Sequence, residues 1–375
     1  MTHRTSSDKA EYLLNFDIIR ICGIAAVVLL HVSGRVLQAY GGTTSDGWWA
    51  GNIGNSASRW AVPSLIMLAG ALHLDAQKTE LPFSFLKRRA KRIIVPLVGW
   101  FVIYFLWVHV WWGQSLSSEF ILKRILLGGP YYHLYFFYVI GSLYLVTPAL
   151  RLYFRFATID ARKKMIIALL FLGCLDSFVF YLFYHQPGWY DSIFSLPLLV
   201  VFTIGFAGYF LAGHELRTMT FSRSATYWAV VGLLLAFVTT TLGTYVLMRR
   251  FGIFSFGPYL YDNFSPTCIF MSLCVFVFFK EEYVLKDFVG GNTRSYEFLK
   301  ITLAPSTFGI YLIHPIFIDI LGRFVSFEGL GKDAIIHLDP WTGIPFFFIL
   351  VVTLSFLTTS IIQRIPYLKV IVGSW

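Results

Sequence analysis

The chain has 375 residues, of which 57% are hydrophobic, 19% aromatic and only 13% charged, and its mean hydropathy is +0.68. Soluble domains carry about 25% charged residues, so this composition excludes an ordinary soluble protein and indicates a lipid environment. The net charge of +10 does not indicate nucleic-acid binding, because the basic residues fall in short runs between apolar stretches rather than on one continuous face.

Ten apolar windows, each about 20 residues long and thus able to cross a bilayer, follow one another along the chain. They are residues 16–37, 51–74, 93–112, 133–151, 165–184, 193–213, 226–248, 263–280, 303–325 and 343–364. The sequence therefore predicts an all-α, polytopic membrane protein of about ten transmembrane helices. We expect one membrane-embedded domain over residues 1–375, with 1–15 as a cytoplasmic N-terminal segment and no added soluble domain.

The basic residues predict how the helices are oriented. An even number of spans puts both termini on one side, and that side carries 21 Lys and Arg residues against 8 on the other, with Arg20 inside the first span. By the positive-inside rule, both termini are cytoplasmic. We expect a multi-pass protein of the bacterial inner membrane.

Two ionisable residues lie inside the first span, where such groups are costly and point to function. Arg20 and His31 are 11 residues apart, about three helical turns, so they share a face at a separation of roughly 16 Å. Neutral imidazole is well suited to act as a base near pH 7, and Arg20 suits the anionic part of a donor. A structural alternative is that Arg20 extends to the interface while His31 bonds a neighbouring helix.

A dense basic cluster leads into the third span: it comprises Arg88, Arg89, Lys91 and Arg92. Arginine pairs bind phosphates through two parallel hydrogen bonds, so Arg89 and Arg92 suit coenzyme A, which carries several phosphate charges. Basic residues also flank many cytoplasmic helix ends for topological reasons alone. The cysteines lie in apolar segments without a CxxC pair or a histidine at metal spacing, so we expect no metal.

Other polar residues inside spans are weaker candidates for an acceptor or supporting role. His314 and Asp319, five residues apart, are expected to orient a base or acceptor, with helix packing as the rival explanation. Asp176 is expected to pair with Arg20 or Arg59 or to line a cavity, and Arg59 to meet an anionic acceptor. Aromatic residues near the outward helix ends suit either sugar stacking or interfacial anchoring: Trp48, Trp49, Trp60, Trp111, Trp112, Trp189, Tyr190 and Trp341.

Together these motifs resemble the acyltransferase-3 family of membrane O-acyltransferases. The family pattern is Arg, ten residues and His in the first helix, here Arg20 and His31, followed by Arg-x-x-Arg, here Arg89 to Arg92. Further similarities are the segments Asn15–Arg20, Pro63–Gly70 and Tyr311–Pro315. The chain departs from the pattern at Ala69, where the family usually has Ser, and at Tyr135, which replaces Trp in His133-Leu134-Tyr135-Phe136. Within the family it is similar to members that acetylate enterobacterial common antigen or exopolysaccharides.

The resemblance implies a cytoplasmic acyl-CoA, most simply acetyl-CoA, bound with Arg89 and Arg92 near its phosphates and Arg20 assisting. It also implies that His31 acts at the acyl group, either as a general base or as a covalent carrier. The expected acceptor is a hydroxyl of a surface or exported polysaccharide or of its lipid-linked precursor. Polysaccharide synthesis or export machinery is an expected partner.

Two other functions remain open at this level. In a transporter of a glycan or anionic metabolite, Arg20, Arg59 and Asp176 would line the path. A non-catalytic partner of a polysaccharide synthase would tolerate the loss of His31. The sequence does not distinguish the acyl group, the sugar or the oligomeric state.

Overall fold

The structure is a computed structural model that describes residues 6–40, 45–75, 80–183, 196–252, 255–281, 297–327 and 336–374. Side chains are described from residue 15 in the first range and from residue 203 in the fourth. Trp189 and Tyr190 lie outside the described residues. Within these ranges almost all of the chain is helical, which confirms the all-α prediction.

The described residues form a bundle of α-helices with one small sheet. The helices are α1 (Ser6–Ala39), α2 (Asp46–Ser58), α3 (Ala61–His73), α4 (Pro82–Trp112), α5 (Ser118–Leu126), α6 (Tyr135–Phe156), α7 (Ile159–Phe183), α8 (Leu196–Thr218), α9 (Arg223–Phe251), α10 (Pro266–Lys280), α11 (Ala304–Phe324) and α12 (Pro340–Arg364). A π-helical turn, Phe298–Leu303, leads into α11, and β1 (Val325–Phe327) pairs in parallel with β2 (Ile336–Leu338).

Eight helices among the described residues are long and apolar enough to cross a membrane: α1, α4, α6, α7, α9, α10 with its preceding turn, α11 and α12. They match eight of the ten predicted spans. The remaining two predictions, 51–74 and 193–213, fall on the α2–α3 pair and on α8. The prediction of a polytopic membrane protein is thus confirmed.

The predicted span 51–74 is divided into two 13-residue helices at Arg59 and Trp60. Pro63 has no backbone N–H, so the Arg59 carbonyl four residues earlier lacks its helical donor. The thiol of Cys268 on α10 lies 3.2 Å from that carbonyl and donates to it instead. The proline therefore interrupts the span and opens a polar position inside the bundle.

The two most deeply buried of these spanning helices are α1 and α11, with 56% and 61% of their apolar windows inside the protein, against 11% for α7. Helix α1 packs against α2, α3, α10, α11 and α12. Residues on α1 and α11 are therefore shielded from lipid by neighbouring helices. Because α1 already begins at Ser6, Asp17 lies within the helix rather than at its N-terminus.

Helices α3 and α8 cross at close range through glycine. A Cβ added at Gly70 would overlap the Phe210 carbonyl oxygen, and one added at Gly213 would overlap the Met67 carbonyl oxygen. Small residues allow membrane helices to approach through their backbones, where van der Waals contact replaces the hydrophobic effect. These two glycines thus set the position of α3 and of the Arg59 turn before it.

Candidate active site

Three histidines from different parts of the chain meet inside the bundle. His31 of α1 stacks on His314 of α11, with ring centroids 5.3 Å apart and ring planes 20° apart. His133, just before α6, lies edge-on to His314 at 5.5 Å. His133 and His314 are 1% and 0% exposed, whereas His31 keeps accessible surface. Within this histidine cluster, His31 is therefore the residue that a substrate is able to touch.

Pro315 determines which nitrogen of His314 carries the proton. Because Pro315 has no N–H, the carbonyl of Tyr311 four residues earlier loses its helical donor. His314 Nδ1 lies 2.7 Å from that carbonyl oxygen, which only accepts, so Nδ1 carries the hydrogen. In the neutral ring Nε2 then keeps a free lone pair, and it has no hydrogen-bond partner. The segment Tyr311–Pro315 thus presets the tautomer of a buried imidazole.

His133 is held by its surroundings while its ring nitrogens stay unused. Its carbonyl accepts a hydrogen bond from the Tyr311 hydroxyl, and its ring lies edge-on to Tyr104 at 5.0 Å. Neither ring nitrogen has a partner of good hydrogen-bond geometry. A buried polar atom without a partner costs free energy, so its retention calls for an explanation. The histidine cluster is accordingly the first place to look for chemistry.

Tyr132 provides accessible surface beside His31. The two ring centroids are 4.7 Å apart, yet Tyr132 is 49% exposed. The charges of Asp319 on α11 and Arg35 on α1 both act on its hydroxyl. The exposed ring of Tyr132 therefore lies next to the His31 ring.

Asp319 contacts aromatic side chains rather than His314. Its carboxylate accepts hydrogen bonds from the Tyr131 hydroxyl and from Trp107 Nε1, the latter at 2.8 Å. Five residues of α-helix turn the chain by about 140° beyond one full turn, so Asp319 and His314 face different neighbours. Asp319 instead fixes the aromatic residues around the opening: Trp107 stacks on Trp111 at 4.7 Å.

Arg20 is brought together with the predicted phosphate-binding arginines at the other end of α1. The guanidinium groups of Arg89, Arg20 and Arg92 all act on the hydroxyl of Tyr144 on α6. Arg20 is also paired with Asp17 at 3.0 Å, and the Arg89 guanidinium lies 5.6 Å from the centre of the Tyr144 ring. Three positive charges from α1 and α4 thus act on one tyrosine, and together they attract an anion.

The other members of the predicted basic cluster lie at the same end of α4. Lys91 is exposed, and Arg88 is paired with Glu80. Arg151 was missed by the sequence analysis. Its Nε and Nη2 donate to the His73 carbonyl at 2.9 and 2.7 Å, and its guanidinium lies 4.3 Å from the Phe85 ring centre. We call the end of the bundle formed by Arg20, Arg88, Arg89, Arg92 and Arg151 the basic end.

The Arg59 turn, between α2 and α3, lies between the basic end and the histidine cluster. The guanidinium donates to the Tyr261 carbonyl and to the Asn55 side chain, and it lies 4.4 Å from the Tyr261 ring centre. Its charge acts on His31, so it is close enough to influence that ring. Trp60 donates its indole N–H to the Ala57 carbonyl at 2.8 Å and so caps the turn.

Asp176 does not form the predicted ion pair. No ion pair joins its carboxylate to Arg20 or Arg59, both of which lie in the described part of the chain. The nearest charge identified beside it is another carboxylate, Asp262. The expectation of pairing is therefore wrong, since Arg20 is occupied by Asp17, and Arg59 by Asn55 of α2 and by Tyr261 before α10. Among the described residues, no group of three or more His, Cys, Asp or Glu side chains has the arrangement of a metal site.

Comparison with protein families decides the class of this site. The family model described as an acyltransferase domain, acyltransferase-3, matches residues 13–360 and thus nearly the whole chain. This chain belongs to the acyltransferase-3 family. Comparisons with curated proteins and with solved structures find no match. The match supports the assignment of a membrane acyltransferase, and it includes both the basic end and the histidine cluster.

In this acyltransferase-3 protein, the residues that sequence reasoning missed are Tyr132, Tyr144, Arg151 and the ring of His133. None is a charged group in the middle of a predicted span, which was the signal used to select candidates. His133 was visible only as part of a motif. Its position in the histidine cluster depends on how the segment before α6 contacts Tyr311 and His314 of α11.

We expect Pro315→Ala to lower acyl transfer by about tenfold while the protein remains folded, because alanine is a good helix former. The new N–H at position 315 would donate to the Tyr311 carbonyl and compete with His314 Nδ1. Initial rates of acyl transfer at saturating donor measure the effect. Pro345→Ala, the same change within α12, is the matched control. An unchanged rate in Pro315→Ala would contradict this role of the proline.

Proposed function

We propose that this membrane protein is an O-acyltransferase that moves an acyl group, most simply acetyl, from cytoplasmic acyl-CoA to a hydroxyl of an exported polysaccharide or its lipid-linked precursor. The basic end binds the phosphates of the donor, and the reaction takes place at His31. The observation that carries the proposal is that the charges of Arg20, Arg89 and Arg92 all act on the Tyr144 hydroxyl, while His31 follows Arg20 by 11 residues on α1 and stacks on His314.

The spacing along α1 supports coenzyme A as the carrier of the acyl group. Arg20 and His31 are 11 residues apart on one helix, or roughly 16 Å along its axis. The pantetheine arm is about as long as four or five extended residues, about 15 Å. A donor whose phosphates lie at Arg20, Arg89 and Arg92 therefore reaches His31 with its thioester.

The distribution of charge supports a cytoplasmic donor. The basic end contains the cluster Arg88 to Arg92 and lies where α1 enters the bundle. The excess of Lys and Arg on this side predicts that it faces the cytoplasm of the inner membrane. Acyl-CoA is a soluble cytoplasmic anion and meets the protein on that side.

The aromatic residues at the opposite end support a sugar acceptor. Trp107 and Trp111 stack at 4.7 Å, and the Arg323 guanidinium lies 3.8 Å from the Trp111 ring centre. Tyr132 and Trp112 are 49% and 59% exposed. Aromatic faces bind the apolar faces of sugar rings, and Asp319 offers an acceptor for hydroxyl groups. This end would receive the polysaccharide from the machinery that synthesises or exports it.

Binding of acetyl-CoA to the purified, detergent-solubilised protein tests the proposal. We expect the double variant Arg89→Ala, Arg92→Ala to weaken binding by at least about 100-fold, because each lost charge-assisted bond contributes about 1.5–3 kcal/mol. Wild-type affinity should also fall from low to physiological salt, since exposed charges are screened. Isothermal titration calorimetry gives both values.

The matched control is Arg249→Ala, Arg250→Ala, which removes an exposed arginine pair at the end of α9. This variant should bind acetyl-CoA like the wild type. If both double variants lost the same acetyl-CoA affinity, the loss would be due to the change in net charge and not to a specific donor site. Absence of binding by folded wild-type protein would contradict the proposed donor site.

A further inference from the structure

Acyl transfer places a positive charge on His31 by either route. As a base, His31 takes the proton of the acceptor hydroxyl while the hydroxyl oxygen attacks the acyl carbon. The C–S bond then breaks and CoA thiolate is released. As a carrier, its lone pair forms the bond to the acyl carbon, the thiolate leaves, and an acyl-imidazolium remains until the acceptor attacks. In both cases a cation forms inside the bundle, where an uncompensated charge is costly.

The charged residues near His31 do not offset this cation. The charge that acts on it from the α2–α3 turn is the guanidinium of Arg59, which has the same sign. A protonated His314 would also repel it, so His314 can help only as a neutral ring. Among the residues described, no carboxylate lies within ion-pair distance of His31. From the segment before α6 it meets the neutral phenol of Tyr132. The other aromatic neighbour in contact with His31 lies on α11.

That neighbour is the face of the His314 ring. The two rings are nearly parallel, 20° apart, with centroids separated by 5.3 Å. The Nδ1–H of His314 is committed to the Tyr311 carbonyl at 2.7 Å, and the side chain is fully buried, which favours the neutral ring. A neutral aromatic face attracts a cation held over it, most strongly when water is excluded.

We propose that His314 is a positioning residue whose ring face stabilises the positive charge that His31 acquires during acyl transfer, an inference that rests on the proposed function. His133 supports it from the far side, where the two rings meet edge-to-face at 5.5 Å and 70°. His314 does not touch the substrate, because it is 0% exposed. It acts only through His31.

The test compares His314→Leu, which removes the ring, with His314→Phe, which keeps an aromatic face and removes both nitrogens. Diethyl pyrocarbonate acylates neutral imidazole, so the pH midpoint of His31 modification, followed by peptide mass spectrometry, reports how readily His31 becomes charged. We expect the midpoint of His314→Leu to fall by about one pH unit and kcat to fall by about tenfold. His314→Phe should keep the pH midpoint of His31 modification and the kcat close to those of the wild type.

His214→Leu is the control, because it also removes a largely buried histidine, one whose ring packs on Phe154 far from the cluster. Its His31 midpoint should equal that of the wild type. If His314→Leu does not fold, His314→Gln provides a ring-free replacement with the same expected shift. Midpoints that coincide in the wild type and in the ring-free variant would overturn the inference.

The modification assay needs neither donor nor acceptor, so it separates this inference from the proposed function. If His314→Leu lowers the His31 midpoint but the wild-type protein transfers no acyl group, the stacking interaction is supported and acyl-CoA chemistry is rejected. If the wild-type protein transfers acyl groups and His314→Leu leaves the midpoint unchanged, acyl transfer is supported and the stacking interaction is overturned. Loss of kcat in His314→Leu without a shift would assign His314 a merely structural role and overturn the inference.

Discussion

We expect His31→Ala to lower the rate of acyl transfer by about a thousandfold, within the range that general acid–base groups contribute. His31 is the member of the histidine cluster with accessible surface, and Tyr132 places an exposed ring beside it. Removal of the imidazole leaves neither a base nor a nucleophile at this position. Transfer of radiolabelled acetyl from acetyl-CoA to polysaccharide in membranes measures the rate.

His109→Ala is the matched control, because His109 is an exposed histidine near the end of α4. It should transfer acetyl at the wild-type rate. His31→Ala should remain folded and should bind acetyl-CoA as the wild type does, since the basic end is untouched. Retained acetyl transfer in this variant would eliminate His31 from the mechanism.

The second large effect is on the fold, at the crossing of α3 and α8. We expect Gly70→Val to lower the free energy of unfolding by about 3 kcal/mol or more, because overpacking at a backbone contact has no flexible side chain to absorb it. The Phe210 carbonyl occupies the space that the new Cβ needs. Gly213→Val should behave similarly against the Met67 carbonyl. Thermal unfolding in detergent provides the measurement.

Gly141→Ala is the contrasting change. Gly141 lies inside α6, and a Cβ added there meets nothing within 4 Å. Alanine in a helix interior is more favourable than glycine by about 0.5–1 kcal/mol, so this variant should be as stable as the wild type or slightly more so. If Gly70→Val unfolds at the same temperature as Gly141→Ala, the α3–α8 crossing is not as close as described.

The helical architecture was predictable because apolar length is a strong signal in membrane proteins. Eight predicted spans coincide with helices that are long and apolar enough to cross a bilayer. The interruption of the predicted span 51–74 at Arg59 was not predicted. Pro63 is part of that span, but proline is often tolerated within a transmembrane helix. The deciding contact, the thiol of Cys268 on the Arg59 carbonyl, comes from a helix 209 residues away.

The candidate site was only half visible in the sequence. Arg20, His31 and the Arg89–Arg92 pair stood out because charged or polar groups inside apolar spans are costly. The residues around them did not stand out in the sequence. Tyr144 is one of 21 tyrosines, and no local feature marks it as the residue on which three arginine charges act. Tertiary packing, which periodicity does not encode, places it there.

His314 and Asp319 were both singled out from the sequence, but their contacts were not predictable from their spacing. The role expected of them, to orient a base or acceptor, stays a prediction. His314 turns toward His31, whereas Asp319 holds Trp107 and Tyr131. The Tyr311–Pro315 segment was the more informative feature of the sequence. Pro315 lacks a backbone N–H, and this explains why the tautomer of His314 is fixed.

The most direct test of the account is a titration of acetyl-CoA against the initial rate of acetyl transfer in membranes that contain the native acceptor. We expect Arg89→Ala, Arg92→Ala to raise the KM for acetyl-CoA strongly and to change kcat little, whereas His31→Ala should abolish kcat at every donor concentration. That division places donor binding and acyl transfer at separate positions along α1. A His31→Ala protein whose rate is restored by high acetyl-CoA would contradict the account.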